Sequence, residues 1–275
     1  MTVHHARDPL EPGARNVIER LRDGARAGRD LLRIGSYNIH GCVGADSRYD
    51  VERVAQVICE LGCDTVGLQE VDCRPGVMTD SMQLEFLASS TGMTAVGSLM
   101  RLGTGQQYGN ALLTLREVLA VRHYDVTCKG CEPRSVLDVA LRVCDGVVRV
   151  IVTQLGLRAA ERRFQVRKIL TLLRTLPPGQ PAVVLGDMNE WLPLGRPLRW
   201  LHQALGRAPA QRSFPVWAPL LALDRLWTSL PAKVLAFEAH RTARSRQASD
   251  HFPVKAVVAP NIVVRRSPLR CLDAP

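Results

Sequence analysis

The feature that most constrains this chain is its succession of short apolar runs, each closed by a polar residue or a turn. LLRIGSYNI (31–39) is apolar and ends in a His-Gly turn. Thr65–Gln69 and Ala182–Gly186 are equally short and apolar. Short runs that are mostly apolar are what a strand buried on both faces requires. The same reading places strands at Thr94–Ser98, Asn110–Thr114, Val118–Asp125, Ser135–Val143 and Val147–Gln154, with Asp145-Gly146 as a hairpin turn between the last two. Later strands are expected around Ala222–Trp227, Lys233–Ala239 and Phe252–Val258.

Three helices interrupt them. Asp50 is a candidate N-cap for a helix whose Val51, Val54, Ala55 and Ile58 fall at i, i+3, i+4 and i+7. A second follows Asp80, with Leu84, Leu87, Ala88 and Thr91 inward. A third, from about Ala159 to Leu176, carries Val166, Ile169, Leu170, Leu173 and Leu176 on one face. Its other face is basic, with Arg162, Arg163, Arg167, Lys168 and Arg174. This order fits one domain over 31–259, two packed sheets with helices outside. Residues 1–30, with a short helical stretch near Asn16–Arg22, read as a poorly ordered basic extension, and 260–275 as a basic tail.

Hydrophobic residues make up 46% and charged residues 23% of the chain, enough for a core and too apolar for global disorder. No window approaches the roughly 18 apolar residues of a transmembrane helix. The start lacks the apolar segment of a secretory signal, so a cytoplasmic location with reduced thiols is expected. Of eight cysteines, Cys128 and Cys131 form a single CxxC without a second pair, so buried thiols are expected rather than a zinc site. The formal charge of +10 has two readings, a solvated basic surface or attraction to a polyanion such as nucleic acid or an anionic membrane. Only four of 36 basic residues are lysine, a skew that compositional bias alone could produce.

Polar residues gather where the strands should end. Asn38 closes the first and Glu70 follows Thr65–Gln69. Asp187 and Asn189 follow Ala182–Gly186, and Asp250-His251 precedes the last strand. Carboxylates and amide oxygens suit Mg²⁺ or Mn²⁺. Each alone has a plainer reading as a turn or cap residue.

Taken in order, SYNIHG, GLQEVD, YGNALLT, EPRS, VTQLGL, GDMNEW, LDRLW and SDHFP resemble the endonuclease/exonuclease/phosphatase superfamily over roughly 32–258. The resemblance implies an α/β four-layer αββα sandwich of two mixed β-sheets with outer helices, and divalent-metal-dependent hydrolysis of P–O bonds. It implies that Asn38, Glu70 and Asp250 bind the metal, Mg²⁺ or Mn²⁺. Asp187 would hold or activate the attacking water, Asn189 would bind a phosphoryl oxygen, and Asp224 would orient His251. Either His251 or Asp187 could be the base. Asn110, Gln154 and Arg134 are candidate substrate contacts, with turn or ion-pair roles as the alternatives for Asn110 and Arg134.

One position departs from the pattern. Many members carry Thr-His-Leu where this chain has Thr153-Gln154-Leu155, and glutamine cannot carry a proton at neutral pH. The competing reading is therefore a degenerate member that binds a phosphorylated ligand without turnover. Among substrates, nucleic acid is slightly favoured over lipid or inositol phosphate, because of the charge and of Arg-rich stretches such as Arg241–Arg246. Peripheral membrane contact stays open. Trp191, Trp200, Trp217 and Trp227 read as core or rim packing more than as stacking platforms.

Overall fold

The computed structural model describes residues 31–73, 82–102, 106–144 and 146–260. The expectations for 1–30, for 261–275, for Asp80 as a helix start and for the Asp145 half of the hairpin turn lie outside them.

Among the described residues, eleven strands and five α-helices form four layers. A six-stranded sheet runs β10-β11-β1-β2-β4-β3 and a five-stranded sheet β5-β6-β7-β8-β9. The strands are β1 (Leu32–Asn38), β2 (Thr65–Cys73), β3 (Thr94–Leu102), β4 (Gln106–Thr114), β5 (Val118–Asp125), β6 (Ser135–Val143), β7 (Gly146–Gln154), β8 (Ala182–Asp187), β9 (Asp224–Thr228), β10 (Lys233–Ala239) and β11 (Val254–Ala259). Only β1–β2 and β7–β8 pair in parallel, so both sheets are mixed. The sheets meet through Leu32, Ile34, Leu112, Leu137, Val150, Val152, Leu185 and Leu226, all fully buried. That contact explains why β1, β7 and β8 read as continuous apolar runs, since helices cover their other faces.

Helix α1 (Val51–Leu61) starts where Asp50 accepts a hydrogen bond from the Arg53 N–H at 2.8 Å and ends at Gly62 in the left-handed region. It packs with α2 (Met82–Thr91) over Val66, Leu68 and Val71 of β2. On the opposite outer face, α3 (Ala159–Arg174) and α4 (Arg196–Leu205) cover Ile151, Val184 and Trp227. Two helices carry no expectation from the sequence. In α4, Pro197 sits in the first turn and Leu198 and Leu201 are buried. In α5 (Ala243–Ala248), Thr242 and Ser245 form a reciprocal cap.

Several expectations are corrected. Arg162 is not on the solvated face of α3. It is buried, and its Nε donates to Glu190 Oε2 at 3.1 Å while Nη1 donates to the carbonyls of Gly156 and Leu157. Trp227 is core and donates to His202 Nδ1 at 3.1 Å, and Trp200 is half-buried under Arg167. Trp191 and Trp217 are not core residues, being largely exposed. Among the described cysteines, Cys42, Cys59 and Cys63 are buried, with burial pushing the Cys63 thiol up to about 12, while Cys128, Cys131 and Cys144 are half-buried. No helix among the described residues is long and apolar enough to cross a membrane.

Candidate active site

The site forms where the two sheets present strand ends side by side. In the second sheet, Gln154 ending β7, Asp187 ending β8 and Asp224 opening β9 stand in direct register. In the first, Asn38 ends β1 beside Gln69 of β2. One residue further, the β2–β4 pairing slips by a residue between Leu68 and Val71, and Glu70 takes φ 57° within that bulge. A left-handed conformation at a non-glycine residue costs energy, of order 1–3 kcal/mol, and persists where the surroundings impose it. Asn189 (φ 47°) and His40 (φ 50°) share this conformation, so three residues of one cluster carry backbone strain.

The strain aims side chains inward. Asn38 Nδ2 donates to Glu70 Oε1 at 2.9 Å and to Asp187 Oδ2 at 3.1 Å. Its oxygen accepts the His40 N–H at 3.0 Å, so the amide shows its nitrogen to the carboxylates, the reverse of the metal-facing oxygen expected from the sequence. Asp187 Oδ1 accepts the Asn189 N–H at 2.9 Å. One amide hydrogen of Asn189 goes to the Leu155 carbonyl at 2.7 Å, leaving the second for a ligand. His251 is buried, with Nδ1 2.9 Å from Asp224 Oδ2 and its ring 4.6 Å from that of Phe214. The Ser249 hydroxyl donates to the Asn38 carbonyl at 2.7 Å, tying the Ser249-Asp250-His251 loop to the end of β1. Asp250 is half-buried, its Oδ1 3.9 Å from His40 Nδ1.

Gln154 does face the site. Its Nε2 donates to Glu70 Oε1 at 2.7 Å and its Oε1 accepts from the Tyr108 hydroxyl at 3.1 Å. Burial, then the Glu70 charge, push the Tyr108 hydroxyl well above its ordinary pKa, so it stays a donor. Arg134 lies 5.5 Å from the Tyr108 ring centre and pairs with Glu132 at 2.9 Å, the ion-pair alternative. Asn110 is buried and donates to the Ser135 carbonyl at 2.8 Å; its Oδ1 has no partner among the described residues. Arg134 flanks the cluster through Tyr108, whereas Asn110 is bonded to Ser135. Sequence reasoning missed Tyr108, which stands inside the quoted YGN segment, as well as His40, Phe214 and Ser249. Only their contacts across the fold mark them out.

Asp187 and His251 both have raised pKa values, for different reasons. Burial pushes the Asp187 carboxyl up to about 6, against the opposing pull of His251, with Asp224 adding to the rise. Burial works against charge on His251, but the Asp224 charge and hydrogen bond, with Asp187 and Asp250, outweigh it and hold the imidazolium up to about 10. Asp187, Asp224 and His251 place ligand atoms within 4.8 Å of one another. Glu70 and Asp250 are the other carboxylates near the site, reached from Asn38 through its amide and through His40; carboxylate oxygens are donors that suit a hard divalent ion.

The fold and site together are those of a two-sheet sandwich whose strand ends converge on carboxylates, an amide and an imidazole. The sequence pattern of the Endonuclease/Exonuclease/phosphatase family matches residues 35–251, and the chain belongs to that family, whose members generally hydrolyse phosphoester bonds and typically use divalent metals. It is 28% identical to the uncharacterized protein YbhP of Escherichia coli K12 over 243 residues, 82% of this chain and 96% of that one. Its fold is similar to that of an endonuclease/exonuclease/phosphatase from Beutenbergia cavernae, with a TM-score of 0.69 and 22% identity over 84% of this chain and 72% of that chain. It is also similar to that of a mannosyl-6-phosphatase from Bacteroides thetaiotaomicron, with a TM-score of 0.62 and 16% identity over 82% and 99%.

Proposed function

We propose that this protein is a divalent-metal-dependent phosphoesterase in which Asp187 accepts the proton of the attacking water and His251 acts as its protonated partner. The observation that carries the reading is the juxtaposition of two buried groups, the Asp187 carboxyl and the His251 ring held by Asp224 at 2.9 Å, with ligand atoms within 4.8 Å of one another and both pKa values raised. A carboxyl near 6 is ionised yet still basic at neutral pH, and an imidazole near 10 is charged. His251 then turns its Nε2–H toward a phosphoryl or leaving-group oxygen, because Nδ1 is held by Asp224. The free amide hydrogen of Asn189 serves a second phosphoryl oxygen. Glu70 and Asp250 would hold Mg²⁺ or Mn²⁺, with Asn38 steadying Glu70. When bound, the ion would neutralise the phosphate and stabilise the departing alkoxide.

Hydrolysis of bis(p-nitrophenyl) phosphate is therefore expected with Mg²⁺ or Mn²⁺, lost in EDTA and restored by either ion. Full activity in EDTA, with no metal in elemental analysis, would falsify the reading. The departure at Gln154 fits this scheme without a histidine, since the amide holds Glu70 in place. Gln154→Ala is expected to raise the metal concentration for half-activity by about 10–100-fold, the usual effect of removing a ligand's support. An unchanged metal titration would detach Gln154 from that role. The presence of the other matched residues favours turnover over the binding-only alternative.

The arginines that favoured nucleic acid are largely engaged within the protein. Arg241 donates to the Arg212 carbonyl, Arg244 pairs with Glu60, and Arg246 donates to the Val216 carbonyl. On α3, Arg162 is buried and Arg167 stacks on Trp200.

A further inference from the structure

The described residues include ten exposed large hydrophobic side chains, and six of them stand on the loops around this one site: Leu157, Trp191, Leu192, Leu194, Trp217 and Leu220. Single exposed apolar residues need no explanation, but a cluster at one sheet edge does. Leu157 follows the end of β7, and Trp191–Leu194 follow the end of β8. Trp217 and Leu220 lie on the segment before β9, which an Phe214–Leu221 bridge closes. The three strands are adjacent in the second sheet, and their Gln154, Asp187 and Asp224 ends are in register, so the apolar side chains ring the reacting groups.

These loops are braced from below. Arg162 donates to the Leu157 carbonyl and pairs with Glu190, whose other oxygen accepts the Leu192 N–H at 3.2 Å. That buried pair fixes the bases of both loops while Trp191 and Leu194, 63% and 80% exposed, stay outside. Across the site, the Val216 N–H donates to the Asp250 carbonyl at 3.0 Å and Arg246 donates to the Val216 carbonyl at 2.6 Å. Trp217, 78% exposed, is carried on that anchor. Rigid bases with outward aromatic tips are suited to entering a soft surface.

Charge agrees. Segments 156–160, 191–200 and 207–222 contain five charged residues, Arg158, Arg196, Arg199, Arg207 and Arg212, all exposed, with no carboxylate among them. Tryptophan and leucine tips flanked by arginine match the interface of an anionic bilayer, where indole rings sit at headgroup level and each basic residue adds attraction. A nucleic acid would leave the four leucines unmatched.

We propose that this rim docks the protein on an anionic lipid surface and presents the site to phosphoesters of lipid headgroups. The substrate part rests on the phosphoesterase reading above; the docking part does not.

The test uses the full chain and vesicles of equal parts phosphatidylcholine and phosphatidylglycerol. Sedimentation should show binding that weakens with added salt. Trp191→Ser and Trp217→Ser should each lower partitioning about tenfold, the loss expected from one buried large apolar side chain, and the double variant about a hundredfold. Turnover of soluble bis(p-nitrophenyl) phosphate should stay within about twofold of wild type, whereas hexadecyl p-nitrophenyl phosphate embedded in the vesicles should be cleaved in step with binding. Failure to cleave the soluble ester would end the phosphoesterase reading and leave sedimentation to judge docking. Absent vesicle binding, or equal binding by the double variant, overturns the proposal. So does a loss in the variants of single-stranded DNA binding or of concentration-dependent dimerisation, with vesicle binding unchanged.

Discussion

His251→Ala is expected to lower kcat by about 10²–10⁴, the range for a group that transfers a proton in the transition state. The ring has little freedom: Asp224 holds Nδ1, Phe214 packs on its face, and Ser249 Oγ accepts its backbone N–H at 3.2 Å. Only Nε2 is left for the substrate. Because its pKa is raised, His251 is charged through the neutral range and loses that charge as pH climbs through about 10. Asp187 titrates in the other limb, becoming competent as pH rises through about 6. The pH profile of kcat/KM should therefore be a bell with both limbs belonging to the coupled pair. Asp224→Asn removes the main support of the imidazolium and should move the alkaline limb to lower pH. A His251→Ala protein with half of wild-type kcat, or an alkaline limb unmoved in Asp224→Asn, would remove this assignment.

Much of this was readable beforehand, for identifiable reasons. Strands buried on both faces announce themselves as apolar runs, and β5, β6 and β10 keep the expected bounds. The order of motifs carried the fold and named the residues that now adjoin. Strand ends were harder. β2 runs on to Cys73 because the bulge at Glu70 lets pairing resume at Val71, and a bulge leaves no signature in apolar spacing. α4 was missed although Pro197, Leu198 and Leu201 were there to be seen, since its short apolar stripe lies between two loops. Tertiary pairing was invisible: the Arg162–Glu190 bond joins residues 28 apart and turns a nominally solvated arginine into a buried one. The extent of His251 protonation was harder to read: pairing with Asp224 points to a raised pKa, but the added pull of Asp187 comes from the end of another strand. Sequence alone left open whether His251 or Asp187 is the base.

The glycine preceding Asp187 should prove as unforgiving as the catalytic groups. Gly186 has φ 144°, and a Cβ built there would lie 1.7 Å from the Thr153 carbonyl oxygen and 2.8 Å from its carbon. These are backbone atoms of β7, paired in register with Gly186 in a sheet buried on both sides, so no flexible side chain can yield. Gly186→Ala must therefore prise β7 from β8 at the step next to the Gln154–Asp187 pair. A loss of about 3–5 kcal/mol is expected, at the severe end for a single substitution. For a domain of this size that corresponds to a fall in Tm of roughly 6–20 °C. Whatever fraction remains folded should show reduced kcat, since Asp187 and Gln154 move together. Gly179 supplies the comparison. It also has positive φ, 78°, but a Cβ there meets nothing within 4 Å. Gly179→Ala should cost only the left-handed strain, about 1–2 kcal/mol, and leave kcat unchanged. If the two variants melt together, the close approach of β7 and β8 is not what requires glycine at 186.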